Sequence, residues 1–284
     1  MYKQVSQIIK SRKMEIMPGR AINAPLPSDE IDETRLSPFI LLHHFGPFEV
    51  NYLNKFAFEP HPHRGFDAVT ILFEGALRHR DSTGGKGSLS SGDVQWMTAG
   101  SGILHEESQP DEFLEKGGIV HGIQLWINIP KANKMHDPRY QDIRSNDIPV
   151  ITGVGTIERV IAGTYKDKTG PAATFTPITA VHGKISKGAK LVCSIAELYN
   201  SLIYVTLGNV TIGGKPAGAS ELAYLSNEGK DIEITADEDS EFLLLSGEPI
   251  NEPVVQYGPF VMNTMGEIKQ AFLDYREGKF GELN

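Results

Sequence analysis

Two residue pairs in this chain have the types and spacing for metal chemistry. His61-Pro62-His63 places imidazoles at i and i+2, and His105-Glu106-Glu107 repeats that spacing with an imidazole and a carboxylate. On an extended strand side chains alternate between faces, so each pair presents its two outer members to one side. If turns bring the pairs together, His61, His63, His105 and Glu107 offer three nitrogens and one oxygen to a single point. This mixed set suits a first-row divalent ion: Fe(II), Mn, Ni, Cu or Zn. Four protein ligands leave an octahedral ion two positions for a substrate and a small oxidant, whereas purely structural sites tend to be closed. Glu106 points to the opposite face.

The elements that must carry these residues read as short strands. Ala68–Phe73 is a β-branched and aromatic run that Glu74-Gly75 ends, and Ala76–Arg80 alternates after it. A Gly-rich turn (82–87) precedes Val94–Thr98, and Ile103–Glu107 is extended again. Ile119–Ile129 closes this half. The turn has a Lys but neither the following Ser or Thr nor the helix of a phosphate-binding P-loop. Strands with turns at this spacing predict an antiparallel sandwich or barrel. Composition changes near Pro130, and residues 131–147 read as a polar linker. The second half repeats the strand style at Val160–Ala162, Thr174–Ile178, Leu191–Ile195, Leu202–Leu207, Ile232–Thr235 and Phe242–Ser246. The expected division is a metal-binding barrel over 1–132, a linker over 133–150 and a second barrel over 151–284. A helix ends the chain: Asn263 can cap it, and Ile268, Phe272 and Tyr275 recur at helical spacing.

Composition narrows the function. A formal net charge of −9 argues against direct nucleic-acid binding, which needs a basic face. No apolar run is long enough to span a membrane, and the N-terminus lacks a secretory apolar core. The lone Cys193 makes no internal disulfide, reads as a small core hydrophobe and fits the cytoplasm.

The stretches His61-Pro62-His63-Arg64-Gly65-Phe66, Gly92-Asp93-Val94-Gln95-Trp96-Met97-Thr98-Ala99-Gly100 and Gly102-Ile103-Leu104-His105-Glu106-Glu107 resemble the pirin family of the cupin superfamily. So do His121–Asn128, Pro138–Gln141 and Gly258–Asn263. The resemblance spans nearly the whole chain. It implies an all-β protein of two cupin-type antiparallel β-barrels (a bicupin) with a short C-terminal α-helix, and metal in the N-terminal barrel alone. It carries the family's ligands onto His61, His63, His105 and Glu107, with Fe as the usual metal. Wider cupin patterns put a ligating carboxylate four residues after the second His. Here that position holds the shorter Asp67, so Glu107 ranks above it.

Three functions follow from these residues and the resemblance. The first is a dioxygenase that binds a flavonol such as quercetin, a small aromatic substrate, together with O2. In that reading Glu107 stays a ligand or becomes the catalytic base for the 3-hydroxyl proton. The second is a non-enzymatic, iron-dependent, redox-sensing regulator that meets a protein partner. The third, a metal that only stabilises the barrel, sits poorly with two open positions. Arg64 and Asp67 flank the ligand strand and are expected to serve the fold or a surface ion pair. Among the other histidines, His43 and His44 point to opposite faces, so at most one lines a barrel and each reads as a core or boundary histidine. His79 should be half exposed, His121 nearest to lining a pocket, and His136 and His182 on the surface. Trp96, Trp126 and Phe66 read as core.

Overall fold

The computed structural model describes residues 1–283. By contacts the chain forms two compact units, each assembled from two stretches: Met1–His44 with Asn146–Pro249, and Phe45–Ser145 with Ile250–Asn284. The sequential boundaries expected near 132 and 150 therefore differ from this division. Each unit takes its strands from one half of the chain and a terminal segment from the other.

The chain opens with strands β1 (Val5–Lys10), β2 (Arg12–Met17), β3 (Arg20–Leu26) and β4 (Phe39–Val50), the last crossing from the first unit into the second. The second unit continues with β5 (Phe58–His63), β6 (Phe66–Glu74), β7 (Ala76–Asp81), β8 (Lys86–Ser90), β9 (Val94–Thr98) and β10 (Ile103–Ser108). A one-turn helix α1 (Asp111–Lys116), β11 (Gly118–Asn128) and β12 (Arg139–Ile143) follow, and helix α2 (Met265–Arg276) lies in the tail. One antiparallel sheet runs β12-β9-β6-β11-β4 and the other β5-β10-β7-β8. Ring contacts such as His63 on Trp126 at 5.2 Å join the two. Neither ladder closes on itself, so the expected barrel is realised as a cupin-type sandwich of open sheets.

Burial explains the pattern. Every residue of Phe66–Leu72 on the central strand β6 is buried, as are all five of β9, so both faces of the larger sheet are covered there. On β7 the alternation is clean, with Leu77, His79 and Asp81 inside and Arg78 and Arg80 out. The expected half-exposed His79 is therefore buried, at 5 % exposure.

The polar stretch after Pro130 is more structured than a linker. Residues 139–143 form β12 and pair along β9 from Arg139↔Thr98 to Ile143↔Val94. Lys134 is buried and donates to Gly65 O (2.7 Å), Asn128 Oδ1 (2.6 Å) and Val261 O (3.0 Å). In α2 the cap is Thr264 rather than Asn263. Its hydroxyl accepts from Glu267 N at 3.2 Å, and the Glu267 carboxylate accepts from Asn263 N at 3.0 Å and from the Thr264 hydroxyl at 3.1 Å, a variant of the capping box.

The first unit repeats the two-sheet plan. Its seven-stranded sheet orders β1, Glu221–Leu225, Asn200–Leu207, Ser240–Gly247, Ile178–Ile185, Thr156–Ala162 and Val150–Gly153. Residues 174–177, expected as strand, precede the strand that starts at Ile178. That strand buries His182 at 4 % exposure, against Glu241 Oε2 at 3.2 Å, so this histidine is not at the surface. Cys193 lies in the apolar core of this unit, where burial pushes its thiol up to about 11. Among the described residues, no helix is long and apolar enough to cross a membrane.

Candidate metal centre

Antiparallel pairing of β5 with β10 brings the two motifs together. His105 lies directly opposite His61, and Ile103 opposite His63. Beyond His61 the register shifts, so that Glu107 faces Phe58, while on the other side β10 stays regular with His105↔Asp81 and Glu107↔His79. The extra residue in β5 is a local bulge at Glu59-Pro60, where proline has no N–H to give a ladder.

The three imidazoles converge. Ring centroids lie 4.8 Å apart for His61 and His63, 4.3 Å for His61 and His105, and 5.0 Å for His63 and His105. One nitrogen from each comes within 4.8 Å of the others. Hydrogen bonds select the tautomers. His61 Nδ1 meets Glu59 O at 2.9 Å and His63 Nδ1 meets Pro259 O at 3.3 Å. A carbonyl only accepts, so both Nδ1 atoms carry the proton and both Nε2 atoms keep a lone pair. His105 is 3 % exposed, and neither of its ring nitrogens has a hydrogen-bond partner.

Electrostatics keeps two of these rings, His63 and His105, neutral. Burial, then the charge of His61, holds His63 down at about 3, and burial holds His105 well below the usual histidine range. Three converging imidazoles, one with both nitrogens orphaned, fit a divalent metal ion, because a lone pair buried without a proton donor is otherwise costly. The outer carbonyl partners of His61 and His63 are the usual means of orienting a ligating imidazole.

Glu107 stands apart from this tight group, which comprises His61, His63 and His105. It shares the inner face of β10 with His105. Burial raises its carboxyl, while His61 and the Thr70 hydroxyl favour the charged form. Asp67 has a different duty: its Oδ2 accepts from Trp96 Nε1 at 2.8 Å, and burial raises it to about 6. Arg64 is a buried ion-pair partner, 2.8 Å from Asp274 on α2, and it also donates to Ser101 O.

The aromatic residues expected as core divide. Trp96 and Phe66 are fully buried, but Trp126 is only half buried and stands beside His63, with Phe66 behind it at 4.3 Å. His44 is buried on the Tyr204 hydroxyl at 3.0 Å. His121 packs half buried on Phe73. His136 is exposed, as expected. The neighbour that sequence reasoning missed is His79, stacked on Tyr140 at 4.7 Å and placed on β7 directly beside Glu107, one ladder step from His105. The alternation Leu77-Arg78-His79-Arg80-Asp81 already carried that signal, since two arginines cannot both be outside without His79 being in.

Comparison with known proteins agrees with this geometry. The family model described as Pirin matches residues 22–127, and the Pirin C-terminal cupin domain matches residues 180–281. A crystal structure of quercetin 2,3-dioxygenase from Acinetobacter baumannii superposes with a TM-score of 0.94 at 40% identity, covering 100% of both chains. A pirin-like protein of Solanum lycopersicum is 38% identical over 250 residues, 87% of this chain and 82% of that one. Pirin of Mus musculus is 36% identical over 285 residues, 98% of this chain and 94% of its own. Two cupin-type sandwiches, a histidine cluster inside one of them and these relatives along nearly the whole length lead to one conclusion: the chain belongs to the pirin family.

Proposed function

We propose that this protein is a metal-dependent dioxygenase of pirin type, with Fe(II) held by His61, His63, His105 and Glu107 and a flavonol such as quercetin as substrate alongside O2. The observation that carries the reading is the convergence of three imidazoles, with both nitrogens of His105 unpartnered, in a buried interior. Likeness to the A. baumannii quercetin 2,3-dioxygenase over the full chain supports the substrate class.

When bound, the metal would lower the pKa of a coordinated flavonol hydroxyl and hold it next to O2. The chain's own residues do the rest. Glu59 O and Pro259 O fix the His61 and His63 rings so that each Nε2 points inward. Glu107 takes the 3-hydroxyl proton onto its carboxylate. A raised carboxyl is suited to that exchange, because a base works best when its pKa lies near the working pH. Trp126 offers a half-buried aromatic face next to His63, against which a planar ring system can lie.

Oxygen consumption by the Fe(II)-loaded protein with quercetin tests this. Uptake should need the flavonol and should vanish in His61→Ala. Protein that holds stoichiometric iron and consumes no oxygen would overturn the enzyme and favour an iron-dependent regulatory binding protein.

A further inference from the structure

The outer face of the sheet β5-β10-β7-β8 carries a second feature, separate from the histidine interior. The ladder sets Arg80 opposite Lys86 and Arg78 opposite Ser88 on β8. On β10, Glu106 lies opposite Arg80 and Ser108 opposite Arg78. Arg144, just beyond β12, reaches over and donates from Nη1 to Ser88 O at 2.6 Å. Together these residues line a cleft of about 700 Å³, within the range of small-molecule sites.

Four cations line it, with Glu106 and Asp142 as the only acids of the lining, in a chain whose net charge is −9. Three of the cations have a carboxylate at hand. Arg80 Nε meets Glu106 Oε1 at 2.6 Å, Arg144 meets Asp93 at 3.1 Å, and Arg78 meets Asp111 at 3.5 Å in a pair exposed on both sides. An exposed pair of that length contributes little. Lys86 has no carboxylate partner among the described residues. It stands directly across the ladder from the like charge of Arg80, an arrangement that destabilises a β pair unless an anion lies between.

The floor is unusual too. Gly87 lies opposite His79, and a Cβ there would sit 2.2 Å from His79 Nε2. Glycine thus leaves room for that imidazole behind the cleft, on the inner side of β7 and 5 % exposed. The Asp142 carboxylate stands 3.5 Å from it.

We propose that this cleft binds a small molecule through a phosphate group. Arg78, Lys86 and Arg144 supply charge from three separate elements, while the Ser88 and Ser108 hydroxyls supply neutral donors. A phosphate accepts hydrogen bonds from several directions at once, whereas a planar carboxylate is satisfied by one guanidinium fork.

Calorimetric titration of the protein as isolated with inorganic phosphate at low ionic strength tests this. One saturable site is expected, weakened roughly tenfold in Arg78→Ala and abolished in Lys86→Glu, since these exposed side chains act through charge-assisted hydrogen bonds. Lys190→Ala, on the other unit, should bind like the parent. His61→Ala should also bind normally; loss there would place the phosphate at the histidine cluster and overturn the proposal. Absence of saturable binding, or binding that both cleft variants leave intact, would overturn it as well.

Discussion

At the scale of single residues, the site depends on charge being kept out of it. His63 and His105 stay neutral because burial penalises the imidazolium, and Glu107 leans toward its protonated form for the same reason. Glu107→Gln separates ligand from base. The three imidazoles should still retain metal by elemental analysis, while oxygen uptake with quercetin falls by roughly 10²–10⁴-fold, the usual scale of a lost general base. Unchanged uptake would remove Glu107 from the proton transfer. Asp67 gives a pH test. Its folded pKa is raised from 3.8 to about 6, so the folded state holds the proton more tightly. That contribution to stability is fully present below 3.8 and is lost as the pH rises through 6. Asp67→Asn keeps an acceptor for Trp96 but cannot ionise. Between pH 3.8 and pH 7.5, denaturant unfolding should show the variant gaining about 3 kcal/mol on the parent. A gap constant with pH would show that Asp67 is not a buried ionised carboxylate at neutral pH. His61, His63 and His105 were legible as candidates because i, i+2 spacing on a strand forces a common face. The separation of Glu107 from the tight group was not, because it depends on a bulge in the partner strand.

At the scale of elements, the turn between β5 and β6 is one of the tightest points. Gly65 has φ +87°, and a Cβ there would meet Val261 O at 2.1 Å. Backbone cannot move aside as a side chain can. Gly65→Ala should cost about 3 kcal/mol or more in urea unfolding, through the strained φ and the clash together. A cost under 1 kcal/mol would mean that the tail segment does not press on this turn. Many strands of both halves were legible from alternation and turn residues, Val94–Thr98 to the residue. Others went unread, among them β1, β2, β3, α1 and Glu221–Leu225. Two cases show why. Strand β12 is short, polar and preceded by Pro138, and it is made a strand by pairing with β9, a partner distant in sequence. The helix start at Thr264 escaped because Asn263 is as good a cap by type. Only the reciprocal bonds of Glu267 decide between them.

At the scale of the whole molecule, each unit is completed by a segment from the far end of the chain. The tail Ile250–Asn284 is fastened to the unit that holds the histidines through Arg64, whose guanidinium pairs with Asp274 at 2.8 Å and lies over the Phe280 ring at 4.6 Å. Arg64→Ala removes one partner of a buried pair and should destabilise this unit by about 3–5 kcal/mol. Hydrogen exchange should then speed up in α2 first; unaltered protection of α2 would contradict the anchoring role. Such discontinuity cannot be read from composition, since the segments that meet share no pattern and are joined only by long-range contacts. The most direct test of the central claim is the metal content of the purified, metal-loaded chain and its single histidine variants, by elemental analysis. About one ion per chain is expected for the parent, with most of it lost in His105→Ala while the Met1–His44/Asn146–Pro249 unit stays folded. Full retention of metal in His105→Ala would contradict the assignment of His61, His63 and His105 as its ligands.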